Sequence, residues 1–319
     1  MMNTFYKTLV ASAIAAATLS TAQAAEPLEI YGKLNVSIQS NDDGSGSETR
    51  VQSNASRFGV KGAFELNSSL EAFYTIEYEV ATDSDSSNNF KARNQFVGLK
   101  GDFGSFAVGR NDTMLKKSQG KVDQFGDYSG DLKNLFAGEN RIAETATYLT
   151  PKFGDFQAGV TYAASGDSKQ ADEDGFSIAA MYGDSGLKKT PIYASVAYDA
   201  EVAGYDIVRG TVQGKVAGFV LGGMYQQEEK VDSGDSKDGY LLSAAYKIDS
   251  VTLKAQYQDM EDKGDSWSIG ADYSLGKPTK LFAFYTDRTS MGTVEDADGN
   301  DMDISIDESY FAVGIENKF

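Results

Sequence analysis

A two-residue alternation of apolar and polar side chains, held for about ten residues and repeated along the chain, restricts this sequence most. In Leu28 to Ser40, Ile30, Gly32, Leu34, Val36 and Ile38 share one face, and Tyr31, Lys33, Asn35 and Ser37 the other. Ser56 to Leu66 and Leu70 to Val80 repeat the pattern, and Val251, Leu253, Ala255 and Tyr257 still oppose Thr252, Lys254, Gln256 and Gln258. Side chains of a strand point to alternate faces, so each run is a strand with one apolar and one polar side. About ten residues is the length a tilted strand needs to cross a bilayer. A lipid-facing outside and a watery inside produce this alternation. A soluble antiparallel sheet with one wet face also alternates; strand length and count favour a barrel.

The connections come in two interleaved kinds. Short turns sit at Asn67-Ser68, Gly101 to Phe103, Phe153 to Asp155, Asp184 to Gly186, Val216 to Gly218, Ile248 to Ser250 and Gly276 to Pro278. Longer polar loops sit at 41–50, 83–89, 111–141, 164–174, 200–205, 228–238, 260–265 and 287–305. Seven short turns alternating with eight longer loops give sixteen strands, with both termini on the short-turn side. An even strand number with short turns on one rim is the arrangement of outer-membrane barrels. The expected fold is therefore all-β, a 16-stranded antiparallel transmembrane β-barrel. Phe58, Phe64, Phe103, Phe106, Tyr148, Phe153, Phe156, Phe219 and Phe319 fall near strand ends or turns, where an aromatic girdle would sit.

Residues 1–24 read as a secretory signal: Lys7, an apolar run from Leu9 to Leu19, and the small-residue site Ala22-Gln23-Ala24. The run is too short to span a membrane as a helix. The barrel domain is then 25–319. The chain carries 29 basic and 47 acidic residues, a formal charge of −18, which argues against nucleic acid as a partner. It has no Cys and no His, so the usual nucleophile–base pairs are missing; no motif implies an enzyme, a cofactor or a metal centre.

The stretch 111–141 has neither a strand nor a sustained helix period. Long structureless loops are usually functional or disordered, and Leu115, Phe125, Leu132, Leu135 and Phe136 would want burial. The reading adopted is that this segment folds into the lumen and narrows it; the alternative is a flap on the outside. A short helical turn within Met114 to Gly120 is left open.

Tyr31-Gly-Lys33, Ser56-Arg-Phe-Gly-Val-Lys-Gly62, Lys91-Ala-Arg93, Phe96-Val-Gly-Leu-Lys100, Gly104 to Arg110, and a terminal Phe319, in this order, make the chain resemble a Gram-negative general diffusion porin. The resemblance implies an inward-folded constriction loop whose carboxylates face a ladder of basic residues. It places the basic side at Lys33, Arg57, Lys91, Arg93 and Arg141, with strand parity agreeing for the first four. It places the acidic side at Asp123, Asp127 and Asp131. It further implies a homotrimer, contact with outer-membrane lipids and lipopolysaccharide, and recognition of Phe319 by the assembly machinery.

The function expected is passive diffusion of ions and small hydrophilic solutes, with a mild cation preference from the acidic charge near the mouth. The alternatives are a selective channel for oligosaccharides or an anion, favoured if Phe73, Phe282 and Phe284 form an aromatic rail, and a plugged structural or adhesin barrel. Asp296 to Asp303 has the alternating oxygens of a calcium loop without its closing glutamate, and reads as an acidic surface loop.

Overall fold

The computed structural model describes residues 28–166, 173–295 and 301–319. The expected signal segment and most of the acidic 296–303 run lie outside these residues. The described chain forms one antiparallel sheet. In order its strands are β1 (Glu29–Asp42), β2 (Ser47–Ser53), β3 (Arg57–Asn67), β4 (Leu70–Val80), β5 (Phe90–Gly101) and β6 (Gly104–Asp112). After the long loop come β7 (Arg141–Leu149), β8 (Phe156–Ala163), β9 (Gly175–Gly183), β10 (Ile192–Val202), β11 (Tyr205–Val216) and β12 (Phe219–Lys230). The last five are β13 (Ser236–Ile248), β14 (Val251–Met260), β15 (Gly264–Ser274), β16 (Thr279–Glu295) and β17 (Asp301–Lys318).

These segments make sixteen staves, because β2 and β3 are two halves of one. Both pair with β1, β2 along Val36 to Asp42 and β3 along Glu29 to Lys33. Ala55, at φ 51°, interrupts the run between them. There the Ser56 hydroxyl replaces the missing ladder bonds, accepting from the Asn35 amide at 3.0 Å and donating to the Asn35 carbonyl at 3.2 Å. β1 also pairs with β17, from Lys33 opposite Lys318 to Asp42 opposite Ser309, so the sheet closes and has no edge. Closure is what lipid demands of strands, since no water is present to take up unpaired backbone groups.

Burial is inverted relative to a soluble sheet. Asn35, Ser37, Gln39, Thr147, Ser177, Gln226, Gln256, Ser268 and Thr286 are buried inside, while Ile30, Leu34, Ile38, Val97, Val196, Ile269, Phe311 and Val313 are exposed outside. The inversion decides between the two readings of the alternation, because a soluble sheet would bury its apolar face. Aromatic pairs ring the outside at both ends: Phe64–Tyr74, Phe156–Tyr182 and Phe219–Tyr246 toward the short turns, and Tyr78–Phe90, Tyr162–Phe176, Tyr240–Tyr257 and Trp267–Tyr285 toward the other rim.

Many of the strand glycines serve as slots for a neighbouring ring. A Cβ on Gly59 would meet the Tyr31 ring, on Gly62 the Tyr74 ring, and on Gly98 the Phe73 ring. Tyr31 and Gly59, opposite each other on β1 and β3, are therefore complementary surfaces, and Gly62 serves Tyr74 of β4 in the same way.

Six of the seven expected short turns are present, while the one expected at Asp184 to Gly186 is an eight-residue connection, 184–191. The other rim differs from expectation. The segments at 200–205 and 260–265 are tight turns, with Ala203 at φ 54° and Gly204 at φ 80° forming the first. β16 and β17 stay in register as far as Glu295 opposite Asp301, so most of the expected 287–305 loop is paired strand. Polar composition marked exposure to water; it does not forbid backbone pairing above the membrane.

Ile269 faces outward on β15 between Trp267 and Tyr273. Ile269→Arg is expected to cost about 2–4 kcal/mol, the penalty for a charge on the lipid face near mid-bilayer. Denaturant titration of vesicle-folded protein reads this; a change below about 0.5 kcal/mol would place Ile269 away from lipid.

Candidate functional site

The segment between β6 and β7 enters the barrel and is fastened to the wall at several places. Helix α1 (Met114–Ser118) opens it, with Thr113 as its N-cap. Met114 and Leu115 pack on Ala179, Ala197 and Ile207. The Ser118 carbonyl accepts from the Tyr193 hydroxyl at 2.8 Å and the Ser195 hydroxyl at 2.6 Å. Val122, Leu132, Leu135 and Phe136 pack on Met224, Leu241 and Met260. Phe125 and Tyr128 pack on Phe282 and Phe284. Each apolar side chain buried this way is worth about 1.5–3 kcal/mol.

Polar groups of the wall satisfy the loop backbone, as buried amides require. The Gln256 side chain accepts from the Gln124 amide at 2.8 Å and donates to the Gly130 carbonyl at 2.9 Å. The buried Arg209 binds Glu139 at 2.7 Å and the Ala137 carbonyl at 3.0 Å. The inward reading of the loop therefore holds, and the outside flap does not. Phe282 and Phe284 lie beneath the loop and do not form a rail along the lumen. Phe73 is partly buried against Phe96.

The eight residues singled out from the sequence do not all meet. Asp127, in the left-handed region at φ 72°, reaches across the lumen. Its Oδ2 accepts from Lys33 Nζ at 2.8 Å and Arg57 Nη2 at 2.5 Å. Burial raises its affinity for a proton, but the Lys33 and Arg57 charges outweigh this and hold its carboxyl below the usual range. Arg93 binds Glu77 at 2.6 Å and Glu79 at 3.0 Å, and Arg141 binds Asp112 at 2.9 Å and the Asn94 amide oxygen at 3.1 Å. Lys33, Arg57, Arg93 and Arg141 line the same cavity of about 1090 Å³ as the loop. Lys91 does not line it: it is exposed near the start of β5, opposite Glu79, and beyond a bulge that faces Glu77.

Asp123 and Asp131 are at the cavity wall, but their carboxylates are turned into the loop. Asp123 accepts from the Phe125 amide at 2.8 Å and the Leu132 amide at 3.1 Å. Asp131 caps the 3-10 turn Leu132–Asn134 and accepts from the Asp127 amide at 2.8 Å. Of the three acids, Asp127 is the one that faces the ladder.

Sequence reasoning passed over a second basic group. Lys254 stands over the rings of Phe125 at 4.9 Å and Tyr128 at 5.4 Å, and shares Asp272 with Lys280 at 3.1 and 3.0 Å. Lys254 was already on the polar face of its strand, so parity was the available signal. Altogether Lys33, Arg57, Arg93, Arg110, Lys116, Lys121, Lys133, Arg141, Lys254, Lys280 and Arg288 line the cavity, against Glu79, Asp123, Asp127, Asp131, Glu139, Asp272 and Glu316.

Burial, and next the Asp131 carboxylate, lift the Asp123 carboxyl above its usual range. A raised carboxyl stabilises the fold while protonated. That contribution is complete below the ordinary carboxylate value and is lost as pH rises through the raised one. Stability is expected to fall with rising pH across that window by at most about 1.4 kcal/mol per pH unit. In Asp123→Asn the slope should flatten. Thermal unfolding in detergent at a series of pH values checks this, and an unaltered slope in the variant would assign it elsewhere.

The family model described as Gram-negative porin matches residues 11–293. The major outer membrane protein P.IB of Neisseria meningitidis serogroup B is 23% identical, over 98% of this chain and 99% of the relative. Outer membrane protein F of Serratia marcescens is 28% identical over 73% of this chain and 59% of its own length. Among solved structures, the anion-selective porin from Comamonas acidovorans superposes with a TM-score of 0.72 at 20% identity, covering 92% of this chain and 99% of that one. The closed sixteen-stave barrel agrees with these matches. The chain belongs to the Gram-negative porin family, as an outer-membrane β-barrel channel protein.

Proposed function

We propose that this porin passes ions and small hydrophilic solutes by passive diffusion, and that its eyelet gives a weak preference for anions. The observation that carries this reading is the lumen cavity, lined by eleven basic and seven acidic side chains, which keeps a small basic excess after Arg93, Arg141 and Arg288 are paired with Glu77, Asp112 and Glu308 behind the lining. The sign is opposite to the cation preference expected from the chain's overall charge. Exposed charges act over only about 8 Å at physiological salt, so lining residues outweigh the acidic outer rim. Asp127 opposite Lys33 and Arg57 sets a transverse field, in which a polar solute can align its dipole while an apolar one must displace ordered water.

The mature chain in this reading begins at Ala25 and works as a homotrimer in contact with lipid and lipopolysaccharide. Phe319 supports the seam: it exchanges backbone bonds of 3.0 and 3.1 Å with Gly32 and leaves its ring outside. That ring is the feature the assembly machinery would read.

Planar-bilayer recording under a KCl gradient tests the proposal. Stepwise conductance with a reversal potential of anionic sign is expected; no conductance would indicate a plugged barrel, and a cationic sign would overturn the selectivity. Asp127→Asn should raise the anion-to-cation permeability ratio about twofold, the screened effect of removing one charge a few ångströms from the path. Asp131→Asn, altering a carboxylate turned into the loop, should move it much less. Equal shifts in the two variants would sink the assignment of Asp127 as the eyelet acid.

A further inference from the structure

A smaller cavity of about 190 Å³ lies at the short-turn rim, where β13 turns into β14, β15 into β16, and β17 ends. Lys247, Lys277, Lys280 and Lys318 converge on it, with Asp272 and Glu316 as its acids. Both acids are already engaged: Asp272 with Lys254 and Lys280, and Glu316 with Lys318 at 3.2 Å. Lys247 and Lys277 are exposed and form no ion pair among the described residues.

The surrounding turns are fastened to each other. The Ser274 amide donates to the Ser250 carbonyl at 2.8 Å, and the Lys318 amide to the Pro278 carbonyl at 2.8 Å. Thr252 adds a hydroxyl to the wall, and the Ser274 hydroxyl donates to the Gly276 carbonyl at 3.2 Å. Thr252, Asp272, Lys280 and Glu316 also line the central cavity, so the two spaces share a wall that leads from the eyelet to the periplasmic mouth.

We propose that this pocket is an exit site for small multivalent oxyanions, with a phosphate group as the ligand chemistry. The proposal deepens the anion-preferring reading of the channel and rests on it. Two lysines without carboxylates, two more sharing theirs, and the Thr252 hydroxyl beside them suit a doubly charged oxyanion that chiefly accepts hydrogen bonds. The site lies on the lumen side of the strands, which favours a solute over a lipid headgroup. An anion leaving the eyelet meets Lys280 first and the exposed Lys247 and Lys277 last.

The test is single-channel recording in a zwitterionic phosphatidylcholine bilayer in KCl, with inorganic phosphate at pH 8 added to each side in turn. The expected result is block of each channel at lower phosphate from one side than from the other. Lys247→Gln combined with Lys277→Gln changes two exposed side chains. It should raise the blocking concentration on the sensitive side by about two- to thirtyfold, the range for losing two exposed ion pairs. The reversal potential in KCl should stay near that of the unaltered channel. Equal block from both sides, no block, or unaltered block in the double variant overturns the proposal. Loss of the sided block when phosphatidylglycerol is added would reassign the pocket to a lipid headgroup. A cationic reversal potential would overturn the selectivity of the eyelet, a separate readout from the sidedness of block.

Discussion

Every feature of this protein depends on the backbone having no partner in lipid other than itself. A strand crossing hydrocarbon must bond to a neighbour on both sides, so the sheet closes. Closure then divides the side chains into an outer set facing lipid and an inner set facing water. The inner set is free of any requirement to be apolar, and it is where Lys33, Arg57, Arg93, Arg141, Lys254 and Lys280 are found. The chain thus has an apolar exterior and a charged interior despite a mean hydropathy of −0.37.

A barrel of this width left empty would be an unselective hole. The segment between β6 and β7 fills much of it, and the inner wall has been shaped to hold that segment. Ala179, Ala197, Ile207, Met224, Leu241, Met260, Phe282 and Phe284 break the polar pattern of the inner face where loop side chains land. Arg209, wholly buried, fixes the return of the loop through Glu139 and Ala137. The tip carrying Asp127 is left to bridge to Lys33 and Arg57, so these contacts join the loop to the β1 and β3 wall across the lumen.

The barrel was legible because alternation over strand-length runs recurs along the chain, even though the segments expected as loops at 200–205, 260–265 and 287–305 are tight turns or paired strand. The inward loop was legible from its apolar residues, which needed a surface to land on. The family resemblance placed the basic ladder, and parity on neighbouring strands agreed with it for Lys33, Arg57 and Arg93. Parity failed to place Lys91, because facing inward says nothing about height along the barrel. The acids were harder, since a loop has no period to orient its side chains. Asp123 and Asp131 look like Asp127 in sequence, yet they satisfy backbone amides of Phe125, Leu132 and Asp127. The pairing of β16 with β17 above the membrane was hidden for a different reason, as polar strands and polar loops share one composition.

The seam between β1 and β17 has a consequence for how the molecule is made. All other stave pairings join neighbours in sequence and can form by zipping along the chain. The seam joins distant ones: Asn35 reaches Glu316 across 281 positions. Closing a flexible loop of that length would cost about 5 kcal/mol of chain entropy, so the seam gains from the neighbouring staves having already paired and shortened the gap by the time the last stave docks. Before that moment the sheet has two bare edges, each a template for pairing with any passing strand. Closure is therefore the last step of assembly, and the interval before docking is when the chain most needs a companion to shield its edges.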